Sequence, residues 1–382
     1  MILTKKQEEG LKIAINRYKS HEPYTCIAGF AGTGKSTLVK FIVSALKLDE
    51  EEVAYISFTG KASLVLKNKG CHNAMTAHKL LYKSVKNSDG SFKHIPRMTL
   101  AGDYKLIVVD EVSMLPLQMW ELLLSHRIHV IAMGDPGQLP PIGESHDVLY
   151  SPHIFLDEIM RQAAESEIIR LSMDIRENKI IKPFKGKEIN IVRQKDVVDG
   201  MYSWADQIIC GKNMTRHSIN DYMRAMKWGD DYNPKLPREG DKLICLNNNW
   251  DMVTQEGSVL INGLIGTCGE VNTAPGPFGT QCWIDFIPDD NPNDIFRQIP
   301  IDYKLISTGE PTITKENFRK FPKNYRLEQF DYGYAITCHK SQGSEYPKVL
   351  IFEEMLKSTE HNRWLYTAVT RASDKITLVL KD

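Results

Sequence analysis

Apolar residues follow two rhythms along this chain. Short unbroken runs such as Tyr24–Ala28, Val53–Phe58, Lys105–Val109 and Ile128–Met133 alternate with segments whose apolar residues return every three or four positions. Unbroken runs mark strands buried on both faces, and the wider spacing marks helices with one buried stripe. Leu11, Ile13, Ala14 and Ile15 give residues 4–19 an amphipathic helical pattern. Further helices are predicted from Ser36 to about Leu46 and over Lys61–Lys67. Strands alternating with helices predict a parallel sheet covered on both faces.

The rhythm restarts after residue 155. Gln207–Cys210, residues 333–338, residues 347–353 and Lys375–Leu380 read as strands, and Ser218–Met226 and Asn362–Arg371 as helices. Residues 241–325 break the pattern: Gly, Pro and Asn become frequent, and Gln281–Phe286 alternates as a half-buried strand does. The expectation is two α/β domains, the second interrupted by a small β-rich insertion.

A chain of 382 residues can build two or three cores. Lys+Arg and Asp+Glu are both 48, so the net charge is zero. That balance neither requires nor excludes a nucleic-acid partner, because a protein that grips and releases a strand needs only a local basic channel. No apolar run is long enough to cross a membrane. The start, Met1–Gln7, lacks the apolar core of a signal peptide. The seven cysteines are scattered without a C-x-x-C pair, which argues against a zinc site or an iron–sulfur cluster. A reducing, cytoplasmic location in a bacterium or a phage-infected host is the expectation, and the sequon at Asn213 reads as a chance match.

Chemistry enters at Gly29-Phe30-Ala31-Gly32-Thr33-Gly34-Lys35-Ser36, which satisfies the Walker A pattern. Its glycines let successive N–H groups turn toward phosphate oxygens, and the helix that follows adds its positive end. Lys35 suits the β- and γ-phosphates, and Ser36 the Mg²⁺ ion. Leu106–Val109 followed by Asp110 and Glu111 resembles Walker B, one parallel strand away: Asp110 for the metal, Glu111 for orienting and deprotonating water. Together these imply hydrolysis of a nucleoside triphosphate without saying what the energy drives.

Further motifs follow in order: Thr4-x-x-Gln7, Phe58–Ala62, Thr76–Leu80, Asp110–Met114, Gly134–Pro141, Ile159–Gln162, Tyr334–Glu345 and Tyr366–Ala372. In this order the chain resembles superfamily 1 helicases of the RecD-like branch over nearly its whole length. The resemblance implies two RecA-like P-loop parallel-sheet domains. The first would take residues 1–155 with a β-hairpin pin at 83–102, and the second 156–240 and 326–382. An SH3-like insertion would occupy 241–325. It implies ATP and Mg²⁺ as cofactors, with Gln7 at the adenine, Gly29, Ala31, Gly32, Thr33, Gly34, Lys35, Ser36 and Thr37 at the phosphates, Gln342 near the γ-phosphate and Glu345 near the ribose. Gln138 would sense the γ-phosphate, and Arg161 and Arg371 would act as arginine fingers.

By the same resemblance the track is single-stranded DNA, gripped by its backbone through Thr59, Lys61, Thr76 and His78 in the first domain and Asn213, Thr337, His339 and Ser341 in the second. Hydroxyls, amides and ring N–H groups suit phosphate oxygens, which carry no sequence information. Asp89-Gly90 is a hairpin-turn signal, and Phe92 beside it is the candidate that caps the last base pair of a fork. The expected activity is 5′→3′ translocation with duplex unwinding by a monomer, beside single-strand-binding or replication proteins. An RNA helicase and a translocase that displaces proteins without unwinding are the alternatives. A P-loop kinase needs neither the second domain nor the Thr337–Glu345 motif.

Overall fold

The computed structural model describes residues 3–86, 92–140, 147–160, 165–254, 259–314, 316–322, 325–354 and 360–381, with the backbone alone at 84–86, 92–94, 250 and 318. The turn Asp89-Gly90 and Arg161 lie outside these residues, as does the side chain of Phe92. Two compact units are present. One takes residues 1–84, 94–206 and 341–382; the other takes 85–93 and 207–340. Among the described residues no helix is long and apolar enough to cross a membrane.

In the first unit α1 (Lys5–Lys19) precedes β1 (Tyr24–Gly29) and α2 (Lys35–Leu46). Then come β2 (Val53–Ser57), α3 (Gly60–Asn68), β3 (Ala74–Thr76) and α4 (Ala77–Leu81). A short ribbon of β4 (Tyr82–Lys86) and β5 (Phe92–Pro96), whose residues 85–86 and 92–93 count with the other unit, precedes β6 (Leu106–Val109), α5 (Leu117–Ser125), β7 (His129–Gly134) and β8 (Ile154–Leu156). The six-stranded sheet runs in the order β3-β2-β6-β7-β1-β8 and is parallel throughout. The unbroken apolar runs are explained by burial on both faces: every residue of β6 and β7 is buried. β7 lies between the Walker A strand and the Walker B strand. This order puts the carboxyl ends of β1, β6 and β7 side by side, where ligands of open α/β sheets bind.

The same unit contains a second parallel set. Strand Ile189–Arg193 pairs with Ala372–Leu380, which pairs with Tyr346–Phe352. Helix His361–Val369 connects the last two and is buried along Trp364–Val369.

In the second unit Gln207–Cys210 pairs in parallel with Ala335–Thr337. Helix Asn213–Trp228 begins five residues before the apolar pattern that reveals it. The β-rich part is a five-stranded antiparallel sheet in the order Phe296–Ile301, Gly279–Pro288, Ile265–Gly276, Lys242–Cys245, Phe330–Tyr332. It therefore recruits a strand beyond residue 325. Arg224 and Asp241, both fully buried, pin helix Asn213–Trp228 to this sheet. Asp241 accepts from Arg224 Nε at 3.2 Å, Trp228 Nε1 at 2.9 Å, Tyr334 Oη at 3.0 Å and the Arg238 N–H at 2.8 Å. A buried carboxylate with four donors is tolerable; a buried guanidinium without its carboxylate is not. Asp241→Ala is expected to destabilise this unit by about 3–5 kcal/mol, measured as a lowered denaturation midpoint. A loss under about 1 kcal/mol would show that the pair is not the anchor.

Candidate nucleotide site and strand-facing edges

The Walker A loop leaves β1 and turns back through two glycines, Gly32 at φ 75° and Gly34 at φ 79°. Both lie in the left-handed region that side chains with a Cβ avoid. Gly34 also has no room: an added Cβ would meet Gln7 Nε2 at 2.5 Å. Lys35 curls back over the loop and donates to the Gly29 and Phe30 carbonyls at 2.7 and 3.0 Å. Thr33 Oγ1 donates to the Phe30 carbonyl at 2.8 Å. Ser36 is exposed in the first turn of α2, and Thr37 is half-buried behind it.

Gln7 is 1% exposed and works as a clip. Its Oε1 accepts the Thr4 N–H at 3.1 Å, closing a capping box on α1. Its Nε2 donates to the Thr33 and Gly34 carbonyls at 3.3 and 3.4 Å. The first helix is thereby attached to the phosphate loop, and the Gln7 amide is engaged by protein on both sides. From the other flank the Met160 N–H donates to the Gly32 carbonyl at 3.1 Å.

Asp110 and Glu111 follow β6. Burial, and then the neighbouring Glu111 charge, raise the Asp110 carboxyl to about 6. Lys35 acts in the opposite direction on the same group. A half-buried carboxylate near a lysine, with an exposed serine hydroxyl at the start of the next helix, is chemistry that a hard divalent cation fits. Glu111 sits at φ 51°, a strained conformation for a residue with a Cβ.

Gln138 joins Glu111 to Arg371. The surrounding donors and acceptors assign its amide nitrogen to the carboxylate side and its oxygen to the guanidinium side; so oriented, it donates to Glu111 Oε2 at 3.1 Å and accepts from Arg371 Nη2 at 3.2 Å. Arg371 is 5% exposed. It also donates to the Thr367 and Ser344 carbonyls at 3.0 and 3.3 Å. Gln342 Nε2 donates to the Leu139 carbonyl at 3.0 Å, and the Leu139 N–H donates to Thr367 Oγ1 at 2.9 Å. Gln342 thus braces the Gln138 segment. Glu345 is exposed and pairs with Lys69 at 3.6 Å.

Sequence reasoning gave no role to three residues of this site. Tyr366 bridges the Ala31 N–H and Asp135 through its hydroxyl, at 2.9 and 2.7 Å. Burial raises the Asp135 carboxyl above its usual range, with Lys35 working against the shift. Arg176 lies over the ring of Phe30 at 3.5 Å. A tyrosine inside an apolar helix and an arginine at a helix end look ordinary in sequence. The Gly134-Asp135 step after an apolar strand was the only signal available.

The residues expected along a strand collect at carboxyl ends of parallel strands. Ser57 of β2 is in register with Thr76 of β3, so Thr59 and Lys61 stand beside Thr76 and His78. Thr59 and Thr76 cap α3 and α4, accepting the Ala62 and Lys79 N–H groups at 3.2 Å. A capping hydroxyl uses a lone pair and keeps its own hydrogen to donate. His78 lies between the rings of Phe58 and Tyr82, at 5.7 and 5.8 Å. Lys61 is 7% exposed, with its ammonium 4.6 Å over the Tyr346 ring. Ser341 is fully buried. In the second unit Cys210 is in register with Thr337, bringing exposed Asn213 and half-buried Thr337 and His339 to one edge. The Asn213 side-chain oxygen accepts from Arg216 Nε at 3.3 Å.

Comparison with known proteins adds family and fold. Residues 3–201 match the AAA domain, and residues 332–379 match the UvrD-like helicase C-terminal domain. The chain is 24% identical to the ATP-dependent RecD2 DNA helicase of Deinococcus radiodurans, over 91% of this chain and 46% of that protein. It is 27% identical to the ATP-dependent DNA helicase dda of Enterobacteria phage T4, over 45% of this chain and 40% of that one. The chain therefore spans less than half the length of these two relatives. The solved structure of Bacteroides Pif1 bound to ssDNA shares the fold, with a TM-score of 0.54 and 17% identity, over the whole of this chain and 92% of the other.

The Asp110 shift has a definite sign. Its carboxyl is raised in the folded chain, so burying the charge lowers stability above pH 6, and the penalty fades as pH falls from about 6 toward 4. Without nucleotide and magnesium, Asp110→Asn is expected to stabilise the chain at pH 7.5 and to stabilise it distinctly less at pH 4.5. Equal stabilisation at both values in thermal melts would contradict the assigned burial.

Proposed function

The chain belongs to the AAA domain family, and from that membership and the geometry around the phosphate loop we propose an ATP-driven helicase that moves 5′→3′ along single-stranded DNA and opens duplex at a fork. The observation that carries the reading is the Glu111–Gln138–Arg371 bridge. It joins the group suited to activating water to the group suited to neutralising phosphoryl charge. An ATP terminal phosphate on the Gly29–Ser36 amides would meet both.

In this reading Lys35 leaves the Gly29 and Phe30 carbonyls for the β- and γ-phosphates. Glu111 orients and deprotonates the attacking water. Gln138 reports the phosphate to the Leu139 segment, and Arg371 bears the developing charge, joined by Arg161. Ser36 and Asp110 would hold a magnesium ion, which would supply charge neutralisation for the phosphates. Gln7 borders the adenine, and Gln342 and Glu345 complete the nucleotide surroundings. Thr59, Thr76, His78, Asn213, Thr337 and His339 follow the DNA backbone, while Lys61 and Ser341 are buried here and stand behind that edge. The proposed architecture is two motor domains with an SH3-like insertion and a pin. DNA as substrate is supported by the likeness to RecD2 and dda, which are named as DNA helicases; the polarity comes only from the resemblance of the motifs to the RecD-like branch.

Forks with a 5′ or a 3′ single-stranded tail test the reading directly. Unwinding is expected from the 5′ tail, and Lys35→Ala is expected to lower ATP turnover at least about a hundredfold. Opening only 3′-tailed forks would overturn the polarity, and full turnover in the Lys35 variant would overturn the motor. Stimulation by RNA alone would move the substrate to RNA, and translocation without fork opening would leave a protein-displacing translocase. Phe92→Ala should reduce strand separation while DNA-stimulated hydrolysis stays within about twofold, because stacking on a base contributes roughly 1–3 kcal/mol; equal loss of both would remove the pin assignment.

A further inference from the structure

Tyr366 makes contacts that the proposed chemistry does not require. Its hydroxyl accepts from the Ala31 N–H at 2.9 Å and donates to Asp135 Oδ2 at 2.7 Å. The side chain is 1% exposed. It packs on Gly137, where an added Cβ would stand 3.1 Å from the ring. Burial, and then the Asp135 charge, push the phenol far above its usual range. It is therefore a neutral O–H that donates and accepts at once. Asp135 is anchored separately, accepting the Gly137 N–H at 2.8 Å.

The bond to Ala31 is different in kind. Ala31 is the third residue of the Gly29–Ser36 loop, and amides of such loops serve phosphate oxygens. An amide has one hydrogen, so a hydroxyl and a phosphate compete for it. The helix that carries Tyr366 also holds the Leu139 N–H through Thr367 and leads directly into Arg371.

We propose that Tyr366 is a positioning residue that latches the Ala31 amide until a nucleotide phosphate displaces its hydroxyl, coupling phosphate arrival to the helix that sets Arg371. The proposal rests on the reading of this loop as the phosphate site. Tyr366→Phe removes the hydroxyl and keeps the ring. Asp135 loses its donor in both free and bound protein, so that cost cancels. Only the bond to Ala31 belongs to the free protein alone.

The variant should therefore bind mant-ADP about five- to tenfold more tightly than the unaltered chain in a fluorescence titration. Unchanged affinity would make Tyr366 merely structural, and weaker affinity would make its hydroxyl a direct phosphate ligand; either overturns the latch. A measurement on the unsubstituted fold guards against a variant that does not fold. With 3-fluorotyrosine at 366, the fluorine resonance should shift when ADP and Mg²⁺ are added, and a resonance that does not move overturns the latch. A chain that bound no mant-ADP at all would overturn the phosphate site together with the latch. Equal binding by both forms would overturn the latch alone.

Discussion

The structure depends on a backbone that must aim several N–H groups at one point. Such a loop cannot form a helix or a ladder, and its amides repel one another's partial charges. Here it is held open by surrounding groups. Gly32 and Gly34 supply the left-handed turns. Lys35 ties down the Gly29 and Phe30 carbonyls, Gln7 those of Thr33 and Gly34, and Met160 that of Gly32. Each carbonyl drawn outward lets its neighbouring amides face inward. The loop is preorganised for an anion because its acceptors have been given other partners.

Around this loop the polar groups form one connected set. Asp135 is buried and Asp110 half-buried, and the ionisation of both is resisted by loss of water and favoured by Lys35. Gln138 links Glu111 to Arg371, and Tyr366 links Asp135 to Ala31. In a low-dielectric setting such links are strong when complete and costly when broken. A change in the charge facing Lys35 would therefore be felt at Arg371.

The strand-facing residues obey a gentler constraint. Thr59 and Thr76 meet local needs as helix caps and still keep a hydrogen to donate. Caps at the carboxyl edge of a parallel sheet recur at regular lateral spacing, because adjacent strands do.

The parallel sheet was legible in the sequence because a strand buried on both faces must be continuously apolar, as β6 and β7 are. The Walker loop was legible because its glycines, lysine and serine act within eight consecutive residues. Helix Asn213–Trp228 was recognised only from Ser218, because its first turns, Asn213 to His217, carry no apolar stripe. The β-rich insertion was placed correctly in character, but its sheet reaches Phe330–Tyr332, since antiparallel pairing joins residues far apart in the chain. Gln7 as a clip on the phosphate loop was not legible, because its partner Thr33 lies 26 positions away. Tyr366 opened the Tyr366–Ala372 motif without a role of its own, and its partners Ala31 and Asp135 lie 335 and 231 positions away. The sequence by itself determined the strands, the phosphate loop and the order of the motifs, because those rest on local periodicity and local backbone freedom. Only the tertiary structure decided which side chains hold the loop open and connect it to Arg371, because a hydrogen bond depends on where two atoms meet and not on how far apart they are written.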